Sequence, residues 1–524
     1  MRVLGPCLAA FALASCGPSP SSDDAGTDAP LAVDDAPAPS DVGSDAGPLP
    51  PPTPTGVFPL HRRTALDWDR PDQGEAVPAA DVELATDQLL DLLARTDWLD
   101  LVADRAHGWP ESDPEGGYWY ATWWSGVTVQ KRGDHLTYVH SPDGADNNGL
   151  RTAQLLEGAC YAHRIWGDPR ELLLVRRLVR GFSSWSMSME RTSDEERGLL
   201  ARAAYPRSVE DTARGISIDY AADRPGEPGP PSYYVHLTDN PYWPDVYVKN
   251  IRSKDDMGHM LRAVALLDTC EGRLGDADAE AELVEMRRLY QEWAQRVEHD
   301  GMRIASRDES GALFQPEGDL ATYVVTAGIE CAAGYAIPLL SRFDTNGYTC
   351  RNPGLGPVSD PATGIPSGAL QILRTHHEAA AGLALASGRD DTARALLEGL
   401  AARMEGILDA YDTGTPPEIA HAGDVVQLIL ESAALGVPLT SREVRFLHAR
   451  LGEAAAGYDT TQPAWHVRDA SVPDGDYAFE PGGPGVDMKD LALFLGLCSA
   501  QWVSPSGRAV IDCDRVRAST RPGE

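Results

Sequence analysis

GLRTAQLLEGACYAHRIWGDPRELLLVRRLVRGFSSW, residues 149–185, reads as two amphipathic helices joined by Gly167-Asp168-Pro169. Apolar residues recur at helical spacing on both sides of the joint. Gly167 suits the position just past a helix end, Asp168 an N-cap, Pro169 the first helical position and Glu171 the third. The same device recurs along the chain. Leu274-Gly275-Asp276 joins the helix within NIRSKDDMGHMLRAVALLDTC (250–270) to AEAELVEMRRLYQEWAQRV. Ser387-Gly388-Arg389-Asp390 joins THHEAAAGLALA to TARALLEGLAARMEGIL. Leu435-Gly436 through Thr440 joins DVVQLILESAA to REVRFLHARL, with Thr440 and Glu443 placed as a capping box.

Further helices are expected at 82–103, 320–340 and 487–502, so the chain is mainly α. Its one β-rich stretch, Gly117 to His140, alternates as three strands with turn residues at Ser125-Gly126 and Arg132-Gly133-Asp134, which predicts a small antiparallel meander. Within it Tyr118, Tyr120 and Trp124 share one face and Trp119 and Trp123 the other. One face belongs to the core, and the other is a candidate sugar-stacking platform. The stretches 191–249, 341–366 and 456–486 read as long irregular loops, unlike the short regular loops of tetratricopeptide or HEAT arrays. Helical hairpins joined by long loops resemble the (α/α)6 toroid of many glycoside hydrolases, polysaccharide lyases and sugar epimerases. The resemblance covers roughly residues 82–502 and is one of architecture, with no family motif behind it.

The chain opens with MRVLGPCLAAFALASC, a weakly positive start and an apolar run too short to span a bilayer. Leu13-Ala14-Ser15-Cys16 resembles the lipobox of bacterial lipoprotein precursors. That resemblance implies that residues 1–16 carry the signal, that Cys16 is lipidated, and that the chain sits in the bacterial cell envelope. With Gly17 rather than Asp next, the outer membrane is expected over the inner. Residues 17–56 hold seven aspartates, no lysine and no arginine among Ala, Pro, Ser and Gly. Such a segment buries too little apolar surface to offset its ordering entropy and is expected to be a disordered tether to the folded domain, 57–524.

A formal charge of −34 disfavours nucleic acid as a partner. Six cysteines follow Cys16, an even number that suits disulfides in an exported chain. Cys331 with Cys350 and Cys498 with Cys513 would close short loops, and Cys160 and Cys270 end similar helices. With no Cys-x-x-Cys and no His cluster, structural zinc is not expected, and nothing calls for another metal or a cofactor. Asp143 to Gly149 fails the EF-hand template, with Leu150 at the fifth position and no Gly at the sixth, although Glu157 falls at the twelfth.

In a toroid the starts of the first helix of each pair face one cleft. Four groups stand there: Asp146 with Asn147 and Asn148; Asp255, Asp256 and His259; His376, His377 and Glu378; and His421 with Asp424. Helix-start preference explains the aspartates equally well, but not the histidines. Asp255, His259, Arg262 and Leu266 form a row on the side of their helix opposite Met257, Met260, Leu261 and Val264. Two carboxylates such as Asp255 or Asp256 with Glu378 would suit glycoside hydrolysis. A base such as His236, His376 or Tyr234, with Arg252 and Asn250 to neutralise a uronate, would suit a lyase. The aromatic-rich stretch 232–250, with Trp243, reads as a subsite lining or as a rigid inert loop. The expected function is a membrane-tethered carbohydrate-active enzyme acting on a poly- or oligosaccharide, hydrolase ahead of lyase. The alternative is a non-catalytic lipoprotein that binds a glycan or a protein, or serves as a scaffold.

Overall fold

The computed structural model describes residues 70, 75–95, 127–139, 148–205, 208–211, 216–219, 234–243, 246–249, 254–266, 270–300, 305–308, 310–314, 378–379, 381–382, 384–385, 390–412, 422–458, 466–467, 469–479, 486, 488–499 and 509–519. All of them belong to the unit Pro51–Glu524. The expected tether, the helix at 320–340, the loop at 341–366, and the Cys331 and Cys350 pair lie outside the described residues.

The described part is mostly helical, and three hairpins stand where the turn signals put them, the turn expected at 387–389 lying outside the described residues. Helix α1 (Ala79–Arg95) is followed by the pair α2 (Asn148–Trp166) and α3 (Pro169–Met187). Gly167 sits at φ 68°, Asp168 accepts from the Arg170 amide at 2.7 Å, and the Asp168–Glu171 capping box closes in both directions. The next pair is α4 (Lys254–Leu266) and α5 (Ala277–His299), with Asp276 accepting from the Ala279 amide at 2.8 Å. Helical residues at 378–379, 381–382 and 384–385 precede α6 (Asp390–Asp412). The pair α7 (Ala422–Ala434) and α8 (Ser441–Gly457) keeps the Thr440–Glu443 capping box. Near the end of the chain α9 (Met488–Leu491), a 3-10 turn (Ala492–Leu495) and α10 (Gly496–Ser499) run on from one another, and α11 (Cys513–Ala518) follows.

First helices pack on first helices. Helix α2 lies against α4 and against the run 488–499, while α7 lies against α10. Second helices cover them, α3 on α2 and α5 on α3, with Phe182 tilted against Trp185 and Tyr290 at 4.9 and 5.9 Å. Gly382 shows why the packing can be close. A Cβ there would stand 2.8 Å from Ala265 Cβ of α4 and 3.3 Å from Leu435 beside α7, so only a glycine fits. Two disulfides join buried cysteines, Cys160–Cys270 and Cys498–Cys513.

The β structure departs from the sequence expectation. Strands β1 (Val127–Arg132) and β2 (His135–Val139) form the expected hairpin, turning at Gly133 with φ 61°. The first strand expected for the meander lies outside the described residues. In the region 191–249, read as irregular, the described residues include five short strands: β3 (Ala203–Tyr205), β4 (Ser208–Asp211), β5 (Ile216–Asp219), β6 (Tyr234–Leu237) and β7 (Val246–Lys249). Strands β8 (Ser306–Arg307) and β9 (Leu313–Phe314) pair with each other, and β10 (Gly475–Phe479) falls in the other presumed loop, 456–486. The sheet holding the hairpin has the order β10-β1-β2-β5-β4, with β2 and β5 parallel and the remaining pairs antiparallel. The meander is therefore not self-contained, because Val127 to Lys131 pair with Phe479 to Gly475 from the far end of the chain. Strands of three or four residues carry too few positions for an alternating pattern to stand out.

Candidate functional site

Helix α4 has no solvent face over residues 259–265. Every residue from His259 to Ala265 is buried, so the row of His259 and Arg262 is as enclosed as the apolar row of Met260, Leu261 and Val264. The reason is that α2, the segment around 378–385 and α5 all approach the helix. A charged group can remain in such a place only if it is paired.

Arg262 is fully buried and paired three times over. Its Nε donates to Glu157 Oε1 of α2 at 2.9 Å, and its Nη2 lies 2.9 Å from the same oxygen. Its Nη1 donates to Glu378 Oε2 at 3.4 Å and lies 2.5 Å from Glu431 Oε2 of α7. Burial by itself would make the guanidinium less basic, but the charges of Glu157, Glu431 and Glu378 outweigh it and hold the proton more firmly than in water. The planar fork suits this role, since it addresses separate carboxylates in fixed directions.

Each of the three helices carries a second buried polar side chain one turn before the group that joins the cluster. These are Gln154 before Glu157, His259 before Arg262, and Gln427 before Glu431. Gln427 donates to both oxygens of the buried Asp490 on α9 at 3.1 Å. The interior between these helices is thus polar over at least two levels, within walls of Leu, Ala and Val.

The residues expected to form a site are distributed as follows. Glu378 and His259 are core groups, the first ion-paired to Arg262 and the second one turn from it. Asp255 and Asp256 fall in the first turn of α4, and Asp424 in the first turn of α7. Tyr234 lies on β6 in register with Lys249, and His236 on the same strand is exposed with its ring stacked on Tyr247 at 4.3 Å. Trp243 is buried beside Asn240, whose side chain donates to Met187 and Glu190 carbonyls and accepts from the Tyr242 and Trp243 amides. Residues 234–243 and 246–249 therefore hold a pair of antiparallel strands tied to the end of α3 through Asn240, with Trp243 buried. Cys16, Asp146, Asn250, Arg252, His376, His377 and His421 lie outside the described residues.

Glu157 and Glu431 were not singled out as site residues from the sequence, Glu157 having been weighed only as the twelfth position of a failed calcium loop. A signal was there: each is a carboxylate with apolar residues directly before and after it, LLEGA and LILESAA. Among the described residues no group of three His, Cys, Asp or Glu side chains is arranged to hold a metal ion. No protein-family model, curated protein or solved structure matches the chain.

Proposed function

We propose that the chain is an exported, membrane-tethered carbohydrate-active enzyme of the (α/α)-toroid kind, a glycoside hydrolase ahead of a lyase. The observation that carries this reading is the convergence of helices from successive hairpins, α2, α4, the segment at 378–385 and α7, on one buried guanidinium. Inner helices that share a polar interior and are covered by outer partners are what a toroid requires. Paired, buried cysteines suit a chain that folds in an oxidising compartment. Since Glu378 is closed off and ion-paired, the acid–base work falls to Asp255 and Asp256 in the first turn of α4, with His376 and His377. Asp424 and His421 stand at the matching place in a later hairpin. His236, Tyr234, Asn250 and Arg252 remain candidates for contacts to sugar or uronate. Lipidated Cys16 would hold the enzyme at the envelope.

The burial of Trp243, Glu378 and His259 favours one second reading, a helical lipoprotein that binds or scaffolds without catalysis. The two are separated by incubating the purified full-length chain with a panel of neutral and acidic polysaccharides. Release of reducing ends, lost in Asp256→Asn, is the expected hydrolase result. Reducing ends together with ultraviolet absorbance of unsaturated uronates would make the enzyme a lyase. No product from any member of the panel, with native-like circular dichroism, would leave the scaffold.

A further inference from the structure

Among the described residues, three attachments of α4 lie in or beyond its second half. Arg262 joins it to three other helical segments, Ala265 meets Gly382 at the closest approach a glycine permits, and Cys270 is bonded to Cys160 of α2 just past the helix end. Residues 255 and 256 stand about two turns, roughly 10 Å, toward the other end of the same helix. A helix transmits a change of tilt along its length, so a contact that orients the second half also moves the first turn.

Of the three attachments only Arg262 sets direction as well as distance. Ala265 and Gly382 limit how near two segments come, and the disulfide acts outside the helix. The guanidinium uses Nε, Nη1 and Nη2 toward three carboxylates on three segments, and its plane cannot turn without lengthening at least one of these contacts. Buried without exposed surface, the contacts cannot be exchanged for water at little cost.

We propose that Arg262 is a positioning residue. By holding Glu157, Glu378 and Glu431 on one guanidinium it fixes the tilt of α4, and so sets where the first turn, with Asp255 and Asp256, stands in the proposed cleft. The role of those aspartates rests on the function proposed above; the clamp on α4 does not.

The test uses the full-length protein and the variants Arg262→Gln, Arg262→Lys and Glu431→Gln. Each is followed by kcat and KM on a polysaccharide that the wild type cleaves, and by hydrogen exchange of peptides covering Lys254–Leu266 and Pro169–Met187. Misplacement of a reacting group by about 1 Å can cost about 100-fold in rate, so Arg262→Gln is expected to lose kcat on that scale. KM should move little, as fits a group that acts on placement rather than on substrate binding. Arg262→Lys should recover only part of the rate, because one ammonium cannot address three directions. Exchange should quicken in Lys254–Leu266 and stay unchanged in Pro169–Met187. A folded Arg262→Gln with wild-type kcat, or a rate that falls only as the folded fraction falls, would overturn the proposal. Should Arg262→Gln fail to fold, Glu431→Gln carries the test, with a smaller loss of kcat and the same local exchange expected and no change in either overturning it. If the wild type cleaves nothing, the enzyme reading has failed by itself, and exchange then decides. Wild-type protection of α4 in the variants refutes the clamp, and selective loss upholds it.

Discussion

Arg307 and Arg262 are both fully buried, and they differ in what surrounds them. Arg307 donates to the Met189 and Gly311 carbonyls at 2.7 and 2.8 Å and to the two oxygens of Asp194 at 2.7 and 3.0 Å, all near the end of α3. Arg262 instead meets carboxylates from three separate segments, two of them 105 and 116 residues away. Partial burial alone would raise the Asp194 carboxyl, but the hydrogen bonds and charge of Arg307 outweigh it and hold Asp194 below the usual carboxylate range. A carboxyl depressed in the folded state stabilises the fold above its unfolded pKa, and that contribution is lost as pH falls through the folded value. Thermal midpoints of wild type and Asp194→Asn, followed from neutral pH downward, should show a shallower acid decline in the variant. Equal slopes would mean that Asp194 does not take part in acid unfolding. At this scale the sequence was only partly legible. Glu378 stood out beside two histidines and Trp243 in an aromatic-rich stretch, yet the first is buried in an ion pair with Arg262 and the second is buried beside Asn240. Composition marks a residue as able to do chemistry, but exposure decides whether it can.

Helices and their ends were the most legible elements, because a cap is settled by residues within four positions of one another. Gly167, Asp168, Pro169 and Glu171 fall where the hairpin needs them, and Thr440 with Glu443 repeats the box. Asp168→Ala should cost about 1 kcal/mol in urea denaturation, with Asp168→Ser recovering most of it. A neutral result for Asp168→Ala would mean that the turn is held by tertiary contacts instead of its cap. Strands were poorly legible for the converse reason. The partner of β1 beyond the hairpin is β10, more than three hundred residues later, and nothing local to Val127–Arg132 announces it. The five strands between 203 and 249 are three or four residues long, and they take their hydrogen bonds from neighbours that the fold supplies.

Across the whole folded unit, the two disulfides offer a comparison of loop length. Cys160–Cys270 spans 110 residues and Cys498–Cys513 spans 15. Loop-closure entropy assigns them about 5 and about 3 kcal/mol respectively. Replacing Cys160 and Cys270 together by serine should therefore lower the denaturation midpoint more than replacing Cys498 and Cys513. The reverse order would show that residual structure in the unfolded chain, and not loop length, governs the effect. Helical class, hairpin turns and an even set of cysteines could be read from sequence alone, as each rests on spacing or neighbours within a few residues. Which polar groups meet was decided only in three dimensions. Glu157, Arg262 and Glu431 each stand between apolar neighbours and Glu378 beside two histidines, and a charge so placed is consistent with water or with a buried partner. Only the packing of α2, α4, the segment at 378–385 and α7 brings these groups to one place, where the guanidinium meets carboxylates instead of solvent.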